Sequence, residues 1–281
     1  MIKLVILDVD GVVLGSMPDI NFPFPTAKVV SALLDLQSRG VAISLCTSKP
    51  VFAVQRILEK LPLTNRHVAD GGAVVFDPQN NEIIKSETLT TQIVKDIMKA
   101  TAEGASAWDV YTLKSKFVEE GKYNKEKIED VRIMPFVAVE NLLAEVEKSQ
   151  VTKLELLYAP ENENYYKEQL SKFEDQVALQ WTAAPALLPN KIVVVTKLGV
   201  NKKSTVQELM DYYKVSPEEV LGVGDTLMDW NFMQVCGNYA TLSNANEEMQ
   251  DLVKSKAGFI GGHVNEDGLV DIIKNYFKSV L

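Results

Sequence analysis

Cysteine and histidine are scarce in this chain, with two of each among 281 residues. Cys46 and Cys236 sit in apolar, strand-like contexts, so two buried free thiols are expected rather than a disulfide or a thiolate metal site. His67 and His263 have no carboxylate or cysteine neighbour at ligand spacing, which leaves them structural or surface roles. No apolar run approaches the ~20 residues that span a bilayer, so no membrane partner is expected. The apolar N-terminus is broken at Asp8, too early for a secretory signal, and it lacks a cleavage-site pattern. Together these absences fit a reducing cytoplasm. Positive charge is also short. Lys and Arg number 29 against 38 Asp and Glu, for a net charge of −9. That excess of acid argues against a nucleic-acid partner, which needs clustered basic residues. An anionic ligand would have to be met by local positive charge, from a metal ion or a few lysines. Trp108, Trp181 and Trp230 are scattered and read as packing residues rather than a stacking platform.

What is present describes a globular protein. Hydrophobic residues make up 46% and charged residues 24%, enough apolar surface for a sizeable core. Residues 3–7 are a short apolar run bounded by Asp and Gly, the mark of a buried parallel strand. Residues 26–39 carry Val29, Val30, Leu33, Leu34 and Leu36 at helical spacing, and Gly40 stops them. A second apolar strand, 41–46, completes a βαβ unit. A helix over 51–61 follows, then two short strands about a turn at Asp77–Asn81. From about 87 to 190 the pattern changes. Helices near 90–102, 138–148 and 161–173 alternate with strands near 107–113, 131–136, 152–158 and 176–183. The βα pattern resumes with a strand from Lys191, a helix over 203–214 and a strand ending at Gly224. A short helix at 227–234, two terminal strands and a helix from Leu269 to Val280 close the chain. The fold class is α/β. Residues 1–85 and 190–281 are expected to form a discontinuous core domain, with 86–189 as an inserted α+β domain.

In open parallel sheets, ligands meet the chain just past the carboxyl ends of the strands. Three strand ends here deliver chemistry: Asp8 and Asp10 after the first, Thr47 and Ser48 after the second, Asp225 with Asp229 after the third. Lys202 opens the helix that follows the resumed strand. Four carboxylates, two hydroxyls and an amine suit phosphoryl transfer, where catalysis is positioning plus charge neutralisation. Asp8 and Asp225 can hold a magnesium ion, and Asp8 can attack phosphorus to form an acyl phosphate. Asp10, two residues along the strand, should project to the same side and exchange protons. Thr47 or Ser48 can donate to phosphoryl oxygens, and Lys202 adds positive charge. The bland readings are a cap role for Thr47 or Ser48 and a solvated position for Asp229 or Lys202.

The order of these pieces — DVDGVV, then CTSKP, then GVNKKSTV, then GDTLMD — resembles the haloacid dehalogenase (HAD) superfamily. The inserted α+β segment resembles the Cof-type branch of HAD phosphatases, and the likeness covers essentially the whole chain. It implies a Rossmann-like core with an inserted cap, and it implies roles. Asp8 would be the nucleophile, and Asp10 the acid/base whose carbonyl also ligates magnesium. Thr47 would be the second-motif hydroxyl. Lys202 would be the third-motif lysine, with Lys203 and Lys197 as alternatives, and Asp225 and Asp229 would be the acidic metal positions. Met228 stands where the branch has Asn, Ser48–Lys49 where it has Gly-Arg, and Asp70 in the Asn place of an NGG-type turn. The presence of Asp10 separates phosphoryl transfer from halide displacement.

The expected activity is magnesium-dependent hydrolysis of a small phosphorylated metabolite, such as a sugar phosphate or phosphoglycolate, with the inserted domain closing as a lid. The competing readings are a phosphomannomutase-like mutase on the same scaffold and a non-catalytic binding protein.

Overall fold

The computed structural model describes residues 1–103, 107–122, 132–182 and 188–277, which form two compact units. Met1–Lys49, Val54–Lys85 and Asn201–Leu281 make the first, and Pro50–Ala53 with Ser86–Val200 make the second.

The chain opens with β1 (Leu4–Leu7), every residue of which is buried. α1 (Ala27–Ser38) starts where Thr26 accepts a hydrogen bond from the Val29 N–H, and it buries Val29, Ala32, Leu33 and Leu36. β2 (Ala42–Leu45) and α2 (Val51–Leu58) follow. β3 (His67–Ala69), β4 (Val74–Asp77) and β5 (Glu82–Ser86) form a small separate sheet.

The second unit contains α3 (Thr91–Ala100), β6 (Ala107–Thr112), β7 (Lys116–Glu119), β8 (Phe136–Val139), α4 (Leu142–Val146), β9 (Val151–Tyr158), α5 (Glu163–Ser171), β10 (Val177–Thr182) and β11 (Lys191–Lys197). Its six strands run in the order β10-β11-β9-β6-β7-β8. Residues of α3, α4 and α5 bury one face of that sheet around Val110, Leu154, Leu156, Val193 and Val195.

The chain then returns to the first unit through α6 (Lys202–Tyr213), β12 (Val220–Val223), α7 (Trp230–Met233), β13 (Asn238–Leu242), α8 (Glu247–Ser255), β14 (Phe259–Gly261) and α9 (Gly268–Tyr276). Five parallel strands in the order β14-β13-β12-β1-β2 form its sheet. Leu7 pairs with Val223 on one side and Leu45 on the other. Asp8, Cys46 and Gly224 therefore leave the sheet at one level, which sets up the site. Among the described residues no helix is long and apolar enough to cross a membrane.

Four readings are corrected. The strand Lys191–Lys197 does not resume the parallel sheet; it pairs antiparallel with β9 and β10 in the second unit. Its apolar run reads as burial on both faces, and either sheet satisfies that: Val193 and Val195 pack beneath helices, while Ile192 packs with Leu157. The strand near 131–136 is found at Phe136–Val139, with residue 131 outside the described residues. α8, assigned no element from sequence, buries only Met249 and Val253, too few for a clear helical stripe. The last helix ends at Tyr276, and 278–281 lie outside the described residues. Cys46 and Cys236 are both buried and free.

Candidate active site

Asp8 takes its place from the sheet. Its N–H donates to the Val223 carbonyl at 2.9 Å, and the Cys46 N–H donates to the Leu7 carbonyl at 2.7 Å. The Thr47 N–H donates to the Val68 carbonyl at 3.0 Å, so strand pairing carries on to the second strand end. β1 stops at Leu7 and the chain bends at Val9. Strand pleating therefore does not place Asp8 and Asp10. Asp8 is buried at 7% exposure, whereas Asp10 is exposed. The turn at Gly11, with φ of 75°, brings the chain back, and a Cβ there would fall 2.0 Å from Asp225 Oδ2. Asn244 donates to the Gly11 carbonyl at 2.9 Å and fixes that turn.

Lys202 stands at the first position of α6, whose N-cap Asn201 accepts from the Ser204 N–H at 2.9 Å. From there its Nζ donates to Asp8 Oδ1 at 2.6 Å and to Asp229 Oδ1 at 2.7 Å. Geometry thus singles it out from its sequence neighbours: Lys203 is exposed, and Lys197 is paired with Glu87 in the second unit. Asp229 is buried, and its other oxygen accepts from the Thr226 hydroxyl at 2.7 Å and the Thr226 N–H at 3.2 Å. Asp8, Asp225 and Asp229 each offer an oxygen within 4.8 Å of the others.

Such crowding has an electrostatic signature. Burial, reinforced by Asp229 and Asp10 and opposed by Lys202, holds the Asp8 carboxyl well above the usual range. Burial and the charges of Asp229 and Asp10 push Asp225 up to about 7. For Lys202, burial opposes the charged form, but Asp8 and Asp229 outweigh it and hold the ammonium charged. One lysine does not balance three adjacent carboxylates. A hard divalent cation with carboxylate oxygens would relieve that repulsion, and the donor set fits one.

Thr47 is buried, and its Oγ1 accepts from the Lys49 N–H at 3.1 Å, which leaves the hydroxyl proton available to donate. Ser48 is exposed. Met228, in the loop between the two acidic positions, is also exposed. Two participants were missed from sequence. Lys49 is buried with its Nζ 3.1 Å from Asp10 Oδ2, and Thr226 braces Asp229. A cation two residues past the second-strand hydroxyl was the available signal for Lys49; nothing local marked Thr226. Cys46 abuts this centre, yet burial pushes its thiol up, which excludes a thiolate nucleophile.

A family model described as haloacid dehalogenase-like hydrolase matches residues 5–273. The chain belongs to that family. This hydrolase is 23% identical over 280 residues to the 5-amino-6-(5-phospho-D-ribitylamino)uracil phosphatase YitU of Bacillus subtilis, covering 98% of this chain and 97% of that one. It is 24% identical to the phosphatase YwpJ of the same organism, covering 97% and 99%. A solved haloacid dehalogenase-like hydrolase from Bacteroides thetaiotaomicron superposes with a TM-score of 0.84 at 17% identity, over 99% of this hydrolase and all of that chain.

Proposed function

We propose that this enzyme is a magnesium-dependent phosphatase that hydrolyses a small phosphorylated metabolite, of the sugar-phosphate or phosphoglycolate kind, through a phosphoryl group carried on Asp8. One observation carries the reading: a buried strand-end Asp8 bonded to Lys202, with Asp225 and Asp229 oxygens within 4.8 Å. Phosphatases among full-length relatives support it, and the action of YitU on a phosphorylated ribityl compound is of the proposed substrate kind. Two free buried thiols are in keeping with a reducing cytoplasm.

Asp8, Asp225 and Asp229, with the Asp10 carbonyl, would hold a magnesium ion, which supplies charge neutralisation at the phosphoryl oxygens. Lys202 orients the Asp8 carboxylate and places a second positive charge beside it. Thr47 donates its hydroxyl proton to a phosphoryl oxygen, with Ser48 at the rim. An Asp8 oxygen attacks phosphorus, and the bond to the leaving oxygen breaks as Asp10 gives that oxygen its proton. Asp10, now a carboxylate, takes a proton from water; the water oxygen attacks phosphorus and releases Asp8 and inorganic phosphate. Lys49 holds Asp10 in reach of both steps.

The test is hydrolysis of p-nitrophenyl phosphate. Asp8→Asn is expected to lower kcat by roughly 10³-fold or more while leaving the circular dichroism unchanged. EDTA should silence the enzyme and magnesium restore it. Unchanged turnover after chelation would exclude the metal, and substantial activity in Asp8→Asn would exclude the nucleophile.

A further inference from the structure

Behind the catalytic side chains lies a turn that none of the steps above uses. Asp70, Gly71 and Gly72 join β3 to β4, all three with positive φ. Asp70 is fully buried. Its N–H donates to the Lys49 carbonyl at 2.8 Å, and the Gly71 N–H donates to the Thr47 carbonyl at 3.0 Å. The turn thus grips the segment that carries Thr47 and Lys49 by its backbone. On its other side it meets α6. A Cβ on Gly72 would lie 2.5 Å from the Asn201 carbonyl oxygen and 3.0 Å from the Lys202 nitrogen. Both are backbone atoms, so no rotamer change relieves the clash. The Thr205 hydroxyl, one turn into α6, donates to the Gly72 carbonyl at 2.9 Å.

We infer that the Asp70–Gly71–Gly72 turn is a positioning element for catalysis, setting the start of α6 against the second strand end so that Lys202 reaches Asp8 while Thr47 faces the phosphate and Lys49 meets Asp10. Gly72 is the distance-limiting residue, because only hydrogen at Cα permits this backbone approach. A helix that retreats at its start strains at once the two hydrogen bonds that Nζ makes. The turn touches no reacting atom, so its residues act through Lys202 and Thr47.

The inference rests on the phosphatase reading, and the experiment separates the two. kcat and KM for p-nitrophenyl phosphate are measured for wild type, Asp8→Asn, Gly72→Ala, Gly40→Ala, Thr205→Val and Thr205→Ser. Gly40 also has positive φ, 85°, but an added Cβ meets nothing within 4 Å, so its variant carries backbone strain without the clash. Gly72→Ala should lower kcat about 100-fold with KM within about threefold, the signature of a misplaced catalytic group. Gly40→Ala should lose thermal stability and keep kcat within about twofold. Thr205→Val should lose about tenfold in kcat, with Thr205→Ser restoring it. If Gly72→Ala does not fold, the Thr205 pair decides. Wild-type kcat in folded Gly72→Ala and in Thr205→Val, with Asp8→Asn inactive, overturns the positioning role alone. Turnover surviving in Asp8→Asn overturns the phosphatase reading and the inference with it.

Discussion

Lys202 bridges two carboxylates through one nitrogen, and its burial makes that arrangement costly to break: removing the ammonium would leave Asp8 and Asp229 facing each other without compensation. The carboxylates in turn define how metal should bind. Asp225, pushed up to about 7 by burial and by Asp229 and Asp10, would have to lose its proton to ligate the proposed ion. Magnesium affinity is therefore expected to fall at least about tenfold per pH unit below about 7, with about one proton or more released per ion bound, because the Asp8 carboxyl is raised as well. Calorimetric titrations with magnesium at pH 6 and 8, in buffers of differing ionisation enthalpy, check both numbers. At this scale the acidic residues were legible from sequence, because Asp just past an apolar strand run and beside Gly, as at Asp10–Gly11 and Gly224–Asp225, is a local pattern. Lys202 was not separable from Lys197 and Lys203 by spacing alone. Only the helix start and the reach of its side chain decide among them.

At the scale of elements, the site depends on where α6 begins. Asn201 holds the Ser204 N–H as N-cap, and Lys202 follows at once. Asn201→Ala should cost about 1 kcal/mol of stability through the lost cap, and it should lower kcat because fraying reaches Lys202 directly. Urea denaturation and p-nitrophenyl phosphate kinetics measure the two effects; a stability loss with unchanged kcat would show that the helix start stays put without its cap. Element types and rough limits could be read from periodicity, as in α1 and α6. Membership of a sheet could not. β11 has the composition of a parallel core strand, and its antiparallel partners are set by the second unit.

For the whole molecule, the first unit stores a pH response outside the catalytic chemistry. His67 is fully buried, its Nδ1 accepts from the Leu45 N–H at 3.0 Å, and burial pushes its pKa down to about 4. A folded value below the unfolded one of about 6.5 means that the unfolded chain binds more protons between the two. The stabilisation is fully present above pH 6.5 and is lost as pH falls toward 4, a total of roughly 3 kcal/mol. His67→Asn keeps an acceptor for Leu45 and cannot titrate, so the stability difference from wild type should change sharply between pH 7 and 4. Melting curves across that range test it; parallel curves would contradict the assignment.

The sequence alone determined the side-chain chemistry and its order along the chain: Asp8 and Asp10, Thr47, the lysine cluster near 202, then Asp225 and Asp229. It also determined the alternation of strand and helix, because side-chain period and turn chemistry are local properties. The tertiary structure decided which lysine bridges Asp8, that Lys49 meets Asp10, and how closely Gly72 lets α6 approach. Those outcomes depend on which distant surfaces come into contact, and a contact between residues 72 and 201 leaves no trace in the composition of either segment.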